Sequence, residues 1–213
     1  MKQIVWKNYL LIWLKNKMNN DYKNSVALWT LTIKEIRRFL RIWIQTLVPP
    51  AVTMSLYFVI FGSLIGPRIG TMDGFDYVQF MIPGLIMMSV ITNSYANVVS
   101  SFYSVKFQRS IEELLISPMP SWTILLGFIL GGVTRGCIVG FIVFLVSLIF
   151  YPSFNVSNPL LTLMVLFLTS VLFSLMGFVN AIYADSFDDI SVIPTFVLTP
   201  LIYLGGVFYS INI

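Results

Sequence analysis

The sequence contains no histidine and a single cysteine, Cys137, and only 10% of its 213 residues are charged. Each shortage removes a class of function. Without histidine the chain lacks the commonest general base and metal ligand, and an H-E-x-x-H zinc site is excluded outright. One cysteine forbids an internal disulfide. Soluble domains carry about 25% charged residues, so water is not the main solvent of this chain. A G-x-x-x-x-G-K-[ST] phosphate loop is missing, as is a G-x-S-x-G nucleophile turn, so ATP is not held by that route and no catalytic residue stands out. No metal site is expected, because the acidic cluster Asp185, Asp188 and Asp189 lacks the further oxygen ligands a divalent ion needs.

What is abundant is apolar surface. Hydrophobic residues make up 57% of the chain and the mean hydropathy is +0.86, which defines an all-α, polytopic helical membrane protein. One crossing takes about 20 apolar residues, so the length allows five or six. A charge at the bilayer centre costs about 2.5 to 3.5 kcal/mol, and long charge-free runs therefore mark the crossings. Spans are expected near 43–66, 79–101, 122–150, 159–184 and 190–209, with the long run after Arg135 divided by Tyr151-Pro152 and by the turn-forming cluster Asn155 to Pro159. Residues 1–41, 102–121 and 185–189 hold nine, two and no basic residues, whereas the opposite loops hold only Arg68. This asymmetry places the N-terminus in the cytoplasm. The apolar stretch Tyr9 to Leu14 is too short for a signal peptide, so no cleavage is expected.

Residues 1–25 read as an N-terminal extension. In 26–41, Val26, Trp29, Ile33, Ile36 and Leu40, continued by Trp43, recur every three or four positions, with Lys34, Arg37, Arg38 and Arg41 on the other side. That pattern predicts an amphipathic helix on the inner leaflet, its cations near anionic headgroups. The loop 106–121 is the one sizeable polar segment between spans. Within it Ile111, Leu114 and Leu115 share a helical face, Arg109 and Glu113 are spaced as an i, i+4 pair, and Pro118 with Pro120 ends the helix.

Inside the spans, Gly127, Gly131, Gly132, Gly136 and Gly140 form small-xxx-small steps that let helices approach closely. Ser170, Ser174, Gly177 and Ala181 repeat the pattern. Ser89, Asn93, Asn97 and Ser101, four apart, form a polar stripe suited to interhelical hydrogen bonds or to lining a translocation path. Arg135 is the one formal charge within an expected span. It is read either as a contact for an anionic substrate group or as a structural cation bonded to Asn180, a carbonyl or headgroups. Pro194 and Pro200 interrupt the fifth span, as a gating kink or equally as a static one packed by neighbours, and Gly205-Gly206 can bend it again.

The Lys-Glu-Ile-Arg-Arg end of the first helix, the Glu112-Glu113-Leu114-Leu115-Ile116-Ser117-Pro118 loop, Arg135-Gly136 after a glycine-rich run, and the late stretch PTFVLTPLIYLGGVF from Pro194 to Phe208 occur in one order. Over about residues 26–213 the chain resembles the type-2 ATP-binding-cassette exporter permeases, most closely the bacterial inner-membrane transport permeases. The resemblance implies a multi-pass subunit of the inner membrane that works as a homodimer with a separate ATPase. ATP and magnesium would be bound by that partner, with no cofactor on this chain and no nucleic acid involved. It implies that 106–118 is a coupling helix touching the ATPase through Arg109, Glu112, Glu113 and Leu115. Substrates of such permeases are drugs, lipids or glycans. Six spans are expected in the family, so the sequence reads as lacking the sixth. The alternatives are an ion-coupled secondary transporter, for which no acidic residue lies in an expected span, and a structural membrane subunit.

Overall fold

A computed structural model describes residues 23–117, 119–152, 156 and 158–210. Expectations for residues 1–22, for Pro118 and for most of the 153–157 turn lie outside the described residues. Four helices are long and apolar enough to cross a membrane: α2 (Trp43–Ile69), α3 (Tyr77–Phe107), α5 (Ser121–Phe150) and α6 (Pro159–Tyr183). They coincide with the first four expected spans. Helix α1 covers residues 23–41, and the short α4 (Ile111–Ile116) links α3 to α5. The fifth expected span, 190–209, is a shorter apolar helix, α7 (Asp189–Leu204).

The shortness of α7 follows from its sequence. Proline has no amide hydrogen to donate, and from Pro194 the backbone widens into a π-helical run, Pro194–Leu198, before Thr199–Leu204 resumes α-helical geometry with Pro200 in its first turn. The Thr199 hydroxyl donates to the Pro194 carbonyl at 2.8 Å. Gly206, at φ 80°, then turns the chain out of the helix. At about 1.5 Å per residue these 16 residues extend about 24 Å, short of the roughly 30 Å hydrocarbon core. Helix α7 runs from the end of α6 to the middle of α2. Near its start the Ile190 carbonyl accepts from Asn180 at 3.4 Å, and near its finish the Tyr203 hydroxyl meets that of Tyr57 at 2.6 Å.

Helix α3 is the hub. Of its most apolar stretch 67% is buried, against 11% for α2, because α5 and α6 pack along it on two sides. Small residues make the approach close. A Cβ added at Gly140 would lie 2.6 Å from Val90 Cγ2, and one at Gly177 would lie 2.7 Å from the Tyr95 carbonyl oxygen. Gly132 and Gly136 are pressed against Ser94 and Val98 of α3 and against Ser170 and Ser174 of α6. Ser94 and Ser170 also share a hydrogen bond of 2.7 Å.

The two ends of the bundle differ in chemistry. At one, a two-residue Asp73-Gly74 turn closes the small hairpin β1 (Thr71–Met72) and β2 (Phe75–Asp76), both turn residues having positive φ as such hairpins require. Aromatic rings seal this end: Phe208 stacks on Phe61 with centroids 4.7 Å apart and on Tyr203 at 5.6 Å, and Tyr77 donates to the Phe208 carbonyl at 3.2 Å. Since the rings carry most of this packing, Tyr203→Phe should lower thermal stability by no more than about 1 kcal/mol, read as a small shift in Tm. At the opposite, basic end, Lys106 Nζ donates to the carbonyls of Ile182 and Ala184, 2.7 Å each, capping the C-terminus of α6. Tyr103 donates to the Asp185 carbonyl at 2.9 Å.

Candidate coupling and translocation site

Of the segment expected to form a 106–118 helix, Lys106 and Phe107 end α3 and a separate helix covers only Ile111–Ile116. Arg109 lies before it with φ 58°, in the left-handed region that a helix does not use. Arg109 is thus the hinge between α3 and α4, and the expected helical pair with Glu113 is not formed. The apolar face is also narrower than its spacing implied. Ile111 and Leu114 pack on the core, whereas Leu115 is 65% and Ile116 85% exposed. Glu112 and Glu113 are exposed beside them. Two carboxylates and two bare aliphatic side chains therefore project together from a short helix directly attached to the hub.

The neighbouring Asp185–Asp189 segment is a helix start. Asp189 Oδ2 accepts the backbone N–H of Asp185 at 3.0 Å and of Ser186 at 2.9 Å, and the Ser186 hydroxyl accepts the Asp189 N–H at 3.1 Å. This is a reciprocal capping box. The Asp185 N–H first, and then Ser186, hold the Asp189 carboxyl below its ordinary value of 3.8. The cap is present above that value and is lost as acid protonates the group. No group of three metal-ligating side chains occurs among the described residues.

Helix α1 corrects the sequence reading most. Of the stripe, Val26, Trp29, Leu40 and Trp43 are exposed and Ile33 and Ile36 half-buried, while Lys34, Arg37 and Arg41 stay in the open. A third face carries Leu31, Thr32, Glu35 and Phe39, all buried. Leu31 fills the notch at Gly127, with Cδ2 2.5 Å from where a Cβ would stand, and Glu35 Cβ lies 2.6 Å from the same position at Gly131. Arg38, expected with the cations near anionic headgroups, belongs to this docked face. Its guanidinium donates to Glu35 Oε2 at 3.2 Å, to the Asn97 carbonyl at 3.1 Å and to Asn97 Oδ1 at 2.8 Å. Ser101 donates to the same Glu35 oxygen. Among the described residues, Arg38–Glu35 is the one ion pair.

The polar stripe of α3 is consumed by these contacts. Ser89 donates to the Leu85 carbonyl at 2.9 Å, and Asn93 Nδ2 donates to the Ser89 carbonyl at 3.0 Å. Asn93 Oδ1 accepts from Arg135 at 3.2 Å. The partner of Arg135 is thus Asn93 and not Asn180, whose amide donates to the Tyr95 hydroxyl at 2.7 Å. Asn93, Asn97 and Arg135 come together across α3 and α5, next to Glu35 and Arg38 of α1. Glu35 was the residue the sequence reading passed over. Its signal was a second apolar stripe, Leu28, Leu31, Glu35 and Phe39, in which one carboxylate replaces an aliphatic side chain.

The described residues thus form a bundle whose four long helices are apolar enough to cross a membrane, with a short exposed helix between the second and third. Residues 26–213 match the family described as ABC-2 type transporter, and the chain belongs to that family. It is 61% identical over 188 residues to inner membrane transport permease YadH of Escherichia coli strain K12, covering 88% of this chain and 73% of that protein. It is 25% identical over 158 residues to nodulation protein J of Rhizobium meliloti strain 1021, covering 74% of this chain and 60% of that protein. No solved structure matches it. The chain is a multi-pass inner-membrane permease subunit of an ATP-binding-cassette transporter.

Proposed function

We propose that the chain forms the membrane pathway of an ATP-driven exporter, as a homodimer, with α4 as the element that receives the ATPase subunit. The exposed Glu112, Glu113, Leu115 and Ile116 carry this reading. Leaving Leu115 and Ile116 bare beside water costs apolar hydration, and a groove on a partner that takes the two aliphatic side chains while pairing the two carboxylates removes that cost. Arg109 sits at the hinge where such a contact enters α3. The basic excess of the segments bearing α1 and α4 supports a cytoplasmic N-terminus, with both helices on the ATPase side. In that orientation α7 supplies a fifth, short crossing. ATP and magnesium belong to the partner, and the cargo is a drug, lipid or glycan moved outward.

The test is to express this chain with its ATPase and reverse both carboxylates, Glu112→Lys and Glu113→Lys. Co-purification of the ATPase and permease-dependent ATP hydrolysis should fall about tenfold or more, the scale of losing two charge-assisted contacts. Undiminished co-purification and hydrolysis would remove the coupling role of α4.

A further inference from the structure

We propose that Glu35 and Arg38 form a clamp that makes α1, α3 and α5 move as one body, with Glu35 as the positioning residue that aims Arg38 at Asn97. The inference rests on the reading of α4 as the ATPase contact, since α3 is the helix that α4 would drive.

A carboxylate 1% exposed in an apolar assembly is costly unless paired and hydrogen-bonded. Glu35 Oε2 is satisfied twice, by Arg38 on its own helix and by Ser101 on α3. Fixing the guanidinium from behind leaves Arg38 with one geometry, in which it grips Asn97 by both its backbone carbonyl and its side-chain oxygen. Without Glu35 the long Arg38 side chain recovers its rotamer freedom and the open space beside Arg37 and Arg41. The contacts also define the direction of the docking. Positions 31 and 35 lie beside 127 and 131, so α1 runs parallel to α5. Positions 35 and 38 meet 101 and 97, so it runs antiparallel to α3.

The clamp is not saturated. Glu35 Oε1, Asn97 Nδ2 and Arg135 Nε are buried without a hydrogen-bond partner, one acceptor and two donors gathered at the junction of the three helices. Removing the single anion from beside two guanidinium groups therefore does more than delete one bond. It leaves Arg38 and Arg135 facing each other without compensation, which drives α1 off the bundle.

The test uses the full chain with Cys137→Ser and the pair Leu31→Cys and Gly127→Cys. A Cβ at 127 stands 3.0 Å from that of residue 31, so the two helices need part by only about half an ångström to reach the 3.5 to 4.5 Å of a disulfide, and replacing Leu31 removes the Cγ and Cδ2 atoms that stand closer still. In membranes, oxidation should cross-link this pair readily. Adding Glu35→Gln should slow cross-linking about tenfold, the scale of one charged hydrogen bond, while Glu35→Asp should largely restore it. Equal cross-linking in all three overturns the clamp. In complex with the ATPase, Glu35→Gln should lose permease-dependent ATP hydrolysis, and oxidising the cysteine pair in that variant should recover it because the tether replaces the ion pair. Failure of the tether to recover it, with the parent complex active, overturns the claim that holding α1 in place is what Glu35 does. A parent complex that neither binds nor stimulates the ATPase instead overturns the reading of α4 as the ATPase contact, and the cross-linking rates still decide whether the clamp exists.

Discussion

Replacing Gly177 by alanine should loosen α6 from α3 and lower stability by about 1–3 kcal/mol, the usual cost of overpacking a close contact. The added Cβ would stand 2.7 Å from the Tyr95 carbonyl oxygen and 3.4 Å from its Cα. Those are main-chain atoms in the middle of a buried helix, so no rotamer change relieves them and the helices must separate. Separation reaches beyond the contact. The Asn180–Tyr95 hydrogen bond lies one turn further on, and Lys106 reaches the end of α6 at Ile182 and Ala184. Gly62→Ala is the control, since its Cβ would meet only Val78 side-chain atoms at 3.5 and 3.9 Å, an ordinary contact. Thermal unfolding in nanodiscs should show a clear drop in Tm for Gly177→Ala and almost none for Gly62→Ala. Equal Tm values would show that the α3–α6 interface yields without cost.

The second large effect has the opposite sign. Arg135 lies at the midpoint of α5 (Ser121–Phe150), makes one hydrogen bond, to Asn93, and leaves Nε unpaired. A central arginine costs about 2.5–3.5 kcal/mol on insertion scales. Replacing both partners, Arg135→Leu with Asn93→Leu, removes that cost and strands no polar group, so the double variant should be more stable than the parent by about 1–3 kcal/mol. Arg135→Leu alone should gain less, because Asn93 Oδ1 then loses its donor. If permease-dependent ATP hydrolysis falls while Tm rises, the guanidinium is kept for function. If activity persists in Arg135→Gln as fully as in Arg135→Lys, a role in recognising an anionic cargo is removed. A double variant less stable than the parent would make Arg135 a structural cation.

The long crossings were legible because their signal is one-dimensional: charge-free runs fix where a chain can cross lipid, and α2, α3, α5 and α6 fall where Ile42 to Pro67, Tyr77 to Val105 and the divided run from Trp122 to Ala184 place them. Gly127 and Gly131 were legible as packing residues, but their partner was not. Which helix fills a notch depends on docking, and Leu31 and Glu35 of α1 fill these two. The sequence pattern of α1 misled for a related reason. A helix beside both lipid and protein carries two apolar stripes and one charged one, and reading it with two faces assigns Arg38 to the headgroups. The face shared by Ile111, Leu114 and Leu115 failed similarly, since a six-residue helix makes too few turns for spacing to separate the docked side from the bare one. The Asp73-Gly74 hairpin was written locally in a turn dipeptide and was missed because it falls in a loop counted only for its charges.

The burial of α3 has a consequence for how the protein is made. It is the least apolar of the four long helices, and Ser89, Asn93, Ser94, Asn97 and Ser101 are all buried along it. In lipid alone Asn93, Ser94, Asn97 and Ser101 would lack their partners on α1, α5 and α6. Yet α3 precedes α5 and α6 in the chain, so during synthesis it emerges before two of the three helices that satisfy it. The sheltering surface available at that moment is α1, already made, whose Glu35 and Arg38 meet Ser101 and Asn97. The same contacts that join α1 to the bundle in the finished permease thus give its most polar crossing a first partner during membrane insertion.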